Sequence, residues 1–379
     1  MNNHALKLAI IAEARRLGFT RVGVTTAEPP PHLAEYDRWL ANGYHGELGY
    51  LASERNRARR HTPRMLLPTA RSVIVLLTNY APAPPSPPAD DLPRGRVAAY
   101  AVNDDYHDVL VTRLQALVAF IEAEIGHPIE QRYYTDTGPI LERELAQRAG
   151  LGWIGKNSLL ITPEIGSYTL IAELFTNLDL PPDDPFEADR CGSCTRCITA
   201  CPTNAILPDR VIDARACISY HTIELKGTIP SDYRPGIGEW VFGCDICQQV
   251  CPWNIRFAEA TLDSAFVPRP PLPNPPLIEL LALSDEDFRA RFRGSPLKRA
   301  KRRGLLRNAA VALGNSGDAR AVPALIHALA DAEPLVRSHA AWALGQLGGA
   351  QARSALQAAL VSENDPAVRA EIEAALRGG

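Results

Sequence analysis

The chain has 379 residues, enough for two or three domains, each with a core of its own. Its 40 Lys and Arg against 43 Asp and Glu leave a net charge of −3, which excludes a chain that is basic throughout. No apolar run approaches the roughly 20 residues of a membrane helix, and an N-terminus broken by Lys7, Glu13, Arg15 and Arg16 reads as an amphipathic helix rather than an export signal, so a cytoplasmic chain is expected.

Residues 5–17 form the first expected helix, stopped at Gly18. A short strand over Arg21–Thr26, a helix over His32–Asn42 and a buried strand over Arg71–Tyr80 follow, the last marked by its continuous β-branched run. Residues 81–95 carry six prolines and read as an extended loop. The long helix Asp104–Ile125 places Val109, Leu110, Leu114, Leu117, Val118 and Ile121 on one face. Strand Ile129–Thr135, helix Ile140–Ala149 and strands near Ser158–Thr162 and Tyr168–Leu174 complete a mixed α/β domain over 1–178. A cysteine-rich region spans 179–262, and a proline-rich connector, Val267–Pro276, opens the last segment, 263–379.

All eight cysteines lie between Cys191 and Cys251. CGSCTRCITACP puts Cys191, Cys194 and Cys197 in a C-x2-C-x2-C run, with Cys201 before Pro202, which is the bacterial ferredoxin spacing for [4Fe–4S] cubes. GCDICQQVCP repeats it through Cys244, Cys247 and Cys251, but position 241 is Val, so Cys217 completes the set of eight. The wiring expected from this arithmetic is Cys191, Cys194, Cys197 and Cys251 on one cluster, and Cys201, Cys217, Cys244 and Cys247 on the other. Two four-cysteine zinc sites are the alternative, but zinc modules use separated C-x2-C pairs rather than a triple run. Two such clusters pass single electrons, so an acceptor should lie nearby.

The first domain offers no G-x-G-x-x-G or P-loop, and no Asp-x-His-x-x-Gly run. Asp136 stands where a strand gives way to a helix, and the residues alone favour an N-cap of helix 140–149 over a catalytic acid. Gly150, Gly152, Gly155 and Gly166 punctuate the stretch around Lys156, which suggests backbone that approaches a ligand closely. Single histidines such as His107 and His221 read as structural.

In the last segment, similar stretches begin at Arg307, Arg337 and Arg369, and the two complete copies share Ala-Leu-Gly, as in HEAT-type helical repeats. Upstream, residues 288–317 hold nine Lys or Arg and no acid. Like charges at helical neighbours repel, and a phosphate backbone would relieve them, which favours contact with folded RNA over a plain solvated face. The expected fold is thus α+β multidomain, with a mixed α/β domain, a ferredoxin-like domain for two [4Fe–4S] clusters and C-terminal HEAT-like repeats.

DYHDVL (105–110), TDTGP (135–139), GKNSLLITPEIGSY (155–168), CISYHTIELKG (217–227) and GCDICQQVCP (243–252), with the helical tail, resemble the epoxyqueuosine reductases segment by segment. That family is related to reductive dehalogenases. The resemblance implies cobalamin between the α/β and cluster domains, reduced by the nearer cluster and supplying electrons to the epoxide of a modified tRNA base, whose oxygen leaves as water. It implies Asp136 as general acid, which reverses the preference for a cap. It implies that Arg60, Asp136, Ser219, Thr222, Cys244, Asp245, Ile246 and Cys247 line cobalamin. Lys226, Lys298, Arg299, Lys301, Arg302, Arg303 and Arg307 would meet tRNA, and an external low-potential donor would feed a monomer. Residues 97–107 correspond to a variable part of the pocket. The other readings are a corrinoid dehalogenase of small organohalides and a non-catalytic electron carrier.

Overall fold

The computed structural model describes residues 2–83 and 91–378, so part of the expected 81–95 loop lies outside them. The chain divides into two compact units, each drawn from three segments: 1–84, 105–215 and 246–267 in the first, and 85–104, 216–245 and 268–379 in the second.

The first unit is built on a four-stranded sheet in the order Arg21–Thr25, Ser72–Asn79, Thr169–Thr176, Gln131–Tyr134, with every neighbouring pair antiparallel. Strand Ser72–Asn79 is central and buried on both faces, which is why its sequence runs without polar alternation. Val73, Val75 and Leu77 share a core with Phe175 and with Leu145, Ala146 and Ala149 around helix Glu142–Arg148. By the period of two, Ile74 and Leu76 point to the opposite face. Helices Asn3–Arg16 and Tyr106–Ile125 pack together in this unit, burying Leu6, Ile10 and Ala14 from one and Leu110, Leu114, Leu117, Val118 and Ile121 from the other. Val109, expected on that face, is only half-buried. Gly18, at φ +97°, ends the first helix as its sequence suggests.

One expectation about local structure is corrected. The helix expected from Ile140 begins at Glu142, its cap residue is Leu141, and no side chain bonds there. Asp136 lies five residues further back, in a left-handed backbone conformation (φ +58°). It is therefore not the cap residue of that helix, and its carboxylate accepts from the Tyr106 hydroxyl.

The second unit carries the repeats. Helices Lys301–Ser316, Pro334–Leu347 and Pro366–Gly378 pack in succession, with Val322–Ala328 and Ala350–Ser362 between them in the chain. The repeated Ala-Leu-Gly has a packing cause. A Cβ on Gly314 would stand 2.9 Å from the Ala343 Cα, and one on Gly345 would stand 2.9 Å from the Ala375 Cα, so each glycine lets the next helix approach closely. Strand Trp240–Phe242 pairs in parallel with Arg96–Val97 in the same unit. Asn308 anchors that strand, donating 2.8 Å hydrogen bonds to the Val241 and Thr222 carbonyls.

Candidate active site

Within the first unit is a cavity of about 660 Å³, within the range of roughly 300–1,000 Å³ usual for small-molecule and cofactor sites. Its walls are partly apolar, from Tyr36, Trp39, Ile140, Trp153, Ile154 and Ile212. They also carry the cations Arg60, Arg143 and Arg210 and the acids Asp136, Glu142 and Glu144. Tyr36 and Trp39 stand three apart on helix Leu33–Ala41 and so share a face. Tyr36 is held by a 2.6 Å bond from its hydroxyl to the Leu51 carbonyl, and the Arg60 guanidinium stands 5.9 Å from its ring centroid.

Four cavity residues other than glycine have left-handed backbone: Asp136, Ser158, Asp209 and Arg210. Such conformations cost on the order of 1–3 kcal/mol each and persist where surrounding structure enforces them, most often at functional sites. Hydrogen bonds link several of them. Arg143 donates to the Ser158 carbonyl, and the Ser158 hydroxyl donates to the Arg210 carbonyl.

Asp136 is the centre of the polar wall. The Tyr106 hydroxyl donates to its Oδ2 at 2.6 Å, and the His107 Nε2 stands 3.6 Å from the same oxygen. His107 is oriented by a 2.7 Å contact between its Nδ1 and Asp105, the residue that caps helix Tyr106–Ile125. Burial disfavours the charged imidazole, but the bond to Asp105 and the negative charges of Asp105 and Asp136 outweigh it, and His107 is raised to about 9. The Asp136 amide donates to Glu142 Oε1 at 2.6 Å. Burial and the adjacent Asp136 carboxylate raise Glu142 to about 8. Glu173 is fully buried on the same face of the sheet as Phe175, and neither of its carboxyl oxygens has a partner among the described residues.

The cysteines of the first unit fit an iron–sulfur role. All eight in the chain are free of disulfides. Burial raises the thiols of Cys197 and Cys251, and Cys191 and Cys194 raise both further, which places that pair close to each of them. Cys251 is buried against Trp153 and Ile161, with Cys191 and Trp253 packed alongside, and the Trp153 indole N–H points to Cys191 Sγ at 3.5 Å. Of the other four, Cys201 and Cys247 belong to the first unit and Cys217 and Cys244 to the second. Cys201 Sγ accepts from the Ala205 amide at 3.3 Å.

Of the residues expected to line cobalamin, Arg60 and Asp136 reach the cavity. Ile246 and Cys247 lie in the first unit on or beside helix Ile246–Gln249. Ser219, Thr222, Cys244 and Asp245 belong to the second unit. Thr222 is a correction: it is wholly buried, and its hydroxyl donates to the Ile218 carbonyl and accepts from the Gly243 amide, leaving no side-chain surface for a ligand. Asp245 is likewise buried and accepts from the Ala99 amide at 2.7 Å.

The basic run divides into two kinds of residue. Lys298, Arg299 and Lys301 are exposed, with Lys301 at φ +58° where helix Pro296–Ala300 turns into Lys301–Ser316. Lys226 lies close to Arg299 and Lys301: burial lowers its ammonium, Glu224 partly restores it, and Lys301, Arg307 and Arg299 lower it again. Arg303 is half-buried. Arg302 pairs with Asp331 at 2.5 Å and donates to the Leu283 carbonyl. Arg307 is a second correction. It is 1% exposed and donates to the carbonyls of His221, Leu225 and Gly227, so it holds the protein together and presents nothing to a phosphate.

Sequence reasoning passed over Tyr36, Trp39, Glu142, Arg143 and Glu173. The aromatic pair was legible as an i, i+3 face on a predicted helix. The buried glutamates were not, because only the strand register shows that Glu173 lies between Ile171 and Phe175 on the core-facing side.

Comparison with known proteins agrees with this geometry. Residues 60–137 match the family described as epoxyqueuosine reductase QueG, DUF1730. Residues 190–254 match the 4Fe-4S double cluster binding domain, and residues 297–377 match HEAT repeats. The epoxyqueuosine reductase of Pseudomonas aeruginosa is 43% identical over 344 residues, covering 88% of this chain and 92% of its own. That of Escherichia coli K12 is 41% identical over 332 residues, covering 87% and 86%. A crystal structure of an epoxyqueuosine reductase with an epoxyqueuosine-modified tRNA-Tyr stem loop superposes with a TM-score of 0.91 at 35% identity, with 99% of each chain covered. A structure of the epoxyqueuosine reductase from Bacillus subtilis, with its catalytic aspartate loop swung out of the active site, superposes with a TM-score of 0.89 at 35% identity over 99% of each chain. This chain belongs to the epoxyqueuosine reductase family and is an oxidoreductase.

Proposed function

We propose that the chain reduces epoxyqueuosine to queuosine in the anticodon of tRNA, the last step in making that nucleoside, with Asp136 donating a proton to the departing epoxide oxygen. The observation that carries this reading is the placement of Asp136. It lies on a strained turn at the wall of the cavity, gripped by Tyr106 and His107, in a chain whose relatives carry that activity. An electron carrier needs no such acid.

The cavity fits cobalamin in character. Its aromatic and aliphatic walls suit the face of a flat macrocycle, and Arg60, Arg143 and Arg210 suit the amides and phosphate at its periphery. When bound, cobalamin supplies low-potential electrons to the epoxide, and the two [4Fe–4S] clusters keep it reduced. Cys191, Cys194, Cys197 and Cys251 would hold one cluster, and Cys201, Cys217, Cys244 and Cys247 the other. The residues then have separable tasks. Arg60, Ile246 and Cys247 hold or adjoin the cofactor, Tyr106 and His107 orient Asp136, and the walls exclude water from the reacting carbon–oxygen bonds. Lys226, Lys298, Arg299, Lys301 and Arg303 meet the tRNA backbone, which leaves base reading to the flipped nucleotide.

Among the described residues, no helix is long and apolar enough to cross a membrane. The proposed setting is a cytoplasmic monomer fed by an external single-electron donor. The test is to incubate the anaerobically reconstituted, reduced chain with tRNA bearing epoxyqueuosine and to analyse the nucleosides. Queuosine should accumulate, and its absence while organohalides are turned over would overturn the reading in favour of a dehalogenase.

A further inference from the structure

The reaction just proposed needs more protons than one aspartate holds. Converting an epoxide to an alkene breaks both carbon–oxygen bonds, forms one carbon–carbon π bond, consumes two electrons and releases the oxygen as water. That oxygen therefore takes up two protons. The electrons come singly from an external low-potential reductant, so they bring no hydrogen with them. A second donor must stand beside Asp136.

We propose that Glu142 is this second donor, so that Glu142 delivers one of the two protons that leave with the epoxide oxygen and Asp136 delivers the other, which it takes from the imidazolium of His107, while Glu173 packs behind them. Glu142 lines the same cavity as Asp136, and its Oε1 is fixed by the Asp136 amide at 2.6 Å, which leaves its second oxygen for the proton. Three carboxyls are gathered here around one end of helix Glu142–Arg148. Asp136 and Glu142 face the cavity, and Glu173 lies in the apolar layer that contains Tyr134, Leu145 and Phe175. Carboxylates so placed cannot all ionise together, because burial and mutual repulsion both favour retaining protons. The groups that face Glu142 are Asp136, Glu173, His107 and Arg143. Burial and the Asp136 charge outweigh the cations His107 and Arg143, so Glu142 stays protonated to about pH 8.

His107 is the other nearby proton source, but the geometry separates the two. His107 does not line the cavity, and its Nε2 is buried and stands 3.6 Å from Asp136, so it acts on substrate only through Asp136. Glu142 reaches the cavity itself. Glu173 touches no substrate and is a positioning residue. Buried without a partner among the described residues, it stays neutral behind Glu142 and Asp136.

This inference rests on the epoxide-reduction reading, and the experiment separates the two. Holoenzyme with both clusters and cobalamin is assayed on epoxyqueuosine-tRNA across pH 5–10, as wild type, Glu142→Gln and Glu142→Asp. Wild-type kcat should fall as pH rises through about 8. Glu142→Gln should lose roughly 10²–10⁴-fold in kcat at unchanged tRNA affinity and should lack that alkaline limb. Glu142→Asp should restore part of the rate and the limb. An infrared titration of the wild-type chain gives a readout independent of turnover: a protonated carboxyl band should disappear near pH 8. If wild type makes queuosine and Glu142→Gln matches it in rate and pH profile, the second-donor role is wrong and the parent reading stands. If Glu142→Gln fails to fold, a wild-type spectrum with no component lost near pH 8 overturns the role, and such a component, distinct from the Glu173 band that persists beyond it, supports it. If wild type makes no queuosine, both fall.

Discussion

Glu173 in the first unit and Arg307 in the second are both buried ionisable groups, 0% and 1% exposed, and their surroundings are opposite. Arg307 meets three carbonyls and the Asn308 side chain, so every face of the guanidinium has an acceptor. Glu173 has no partner on either oxygen among the described residues, and its nearest charged neighbours are two more carboxyls. The second unit holds further partnered charges of this kind. Arg234 pairs with Glu371 in a two-pronged contact of 2.8 and 2.9 Å, and Arg337 pairs with Glu363 at 2.7 and 2.9 Å. Around Asp136 the structure instead gathers three carboxyls, one of them without a partner among the described residues, beside strained backbone. A buried charge with a full set of partners is there for the fold. One held among its own kind costs stability and is kept for chemistry.

The largest test of this contrast is at Asp136. Asp136→Asn should retain both clusters and its tRNA affinity but lose about 10²–10⁴-fold in turnover, measured by nucleoside analysis. It should not lower Tm, because the amide still accepts from Tyr106. A variant that unfolds with its activity would make Asp136 a structural group after all. The mirror experiment is Arg307→Met. It leaves three buried carbonyls without donors, each worth about 1–3 kcal/mol, so a loss of several kcal/mol in chemical denaturation is expected. The tRNA affinity of the protein that remains folded should not change.

The neighbouring surface cations should behave in the reverse way. Replacing Lys298, Arg299 and Lys301 by Ala should move stability by no more than about 0.5 kcal/mol. The slope of log affinity for tRNA against log salt should flatten by roughly 0.7–0.9 for each phosphate no longer neutralised. Unchanged affinity and slope would reduce the run to a solvated face.

How much of the molecule is legible in its sequence follows the same division. The central strand, the long helix and the cysteine spacing can be read from local pattern, because each signal lies within a few turns of chain. The repeat is legible too, and its register already holds the answer to Arg307. Arg337 and Arg369, at the matching positions, donate to carbonyls just before their helices or to Glu363, which marks this arginine as a repeat fixture rather than a phosphate ligand. Charge density along the sequence hides this, because the acids that neutralise Arg302 and Arg337 are Asp331 and Glu363, 29 and 26 residues away. Asp136 reads locally as a cap only if the strand-to-helix junction is tight, whereas Pro139 and a left-handed turn separate the two elements. Glu173 is invisible for a different reason: a glutamate in a strand shows its face only when its neighbours are paired.

The smallest effect sharpens the comparison through pH. Glu363 and Glu142 are both glutamates, displaced in opposite directions. The bonds from Arg337 hold Glu363 at about 2, so its ion pair stabilises the fold above the unfolded-chain value of 4.5, and that contribution disappears as pH falls from 4.5 towards 2. Glu142, raised to about 8, works the other way. Its contribution is intact below 4.5 and is lost as pH rises from there through 8, because the folded chain must either hold a proton or set a second charge beside Asp136. Glu363→Gln should therefore lie below wild type by about 1 kcal/mol at neutral pH and converge on it in acid. Glu142→Gln should match wild type in acid and gain on it up to about pH 8, levelling off beyond. Thermal melts of both variants from pH 3 to 9 decide the matter. If the two difference curves ran in the same direction, the distinction between partnered and unpartnered charge would not account for how these two glutamates differ.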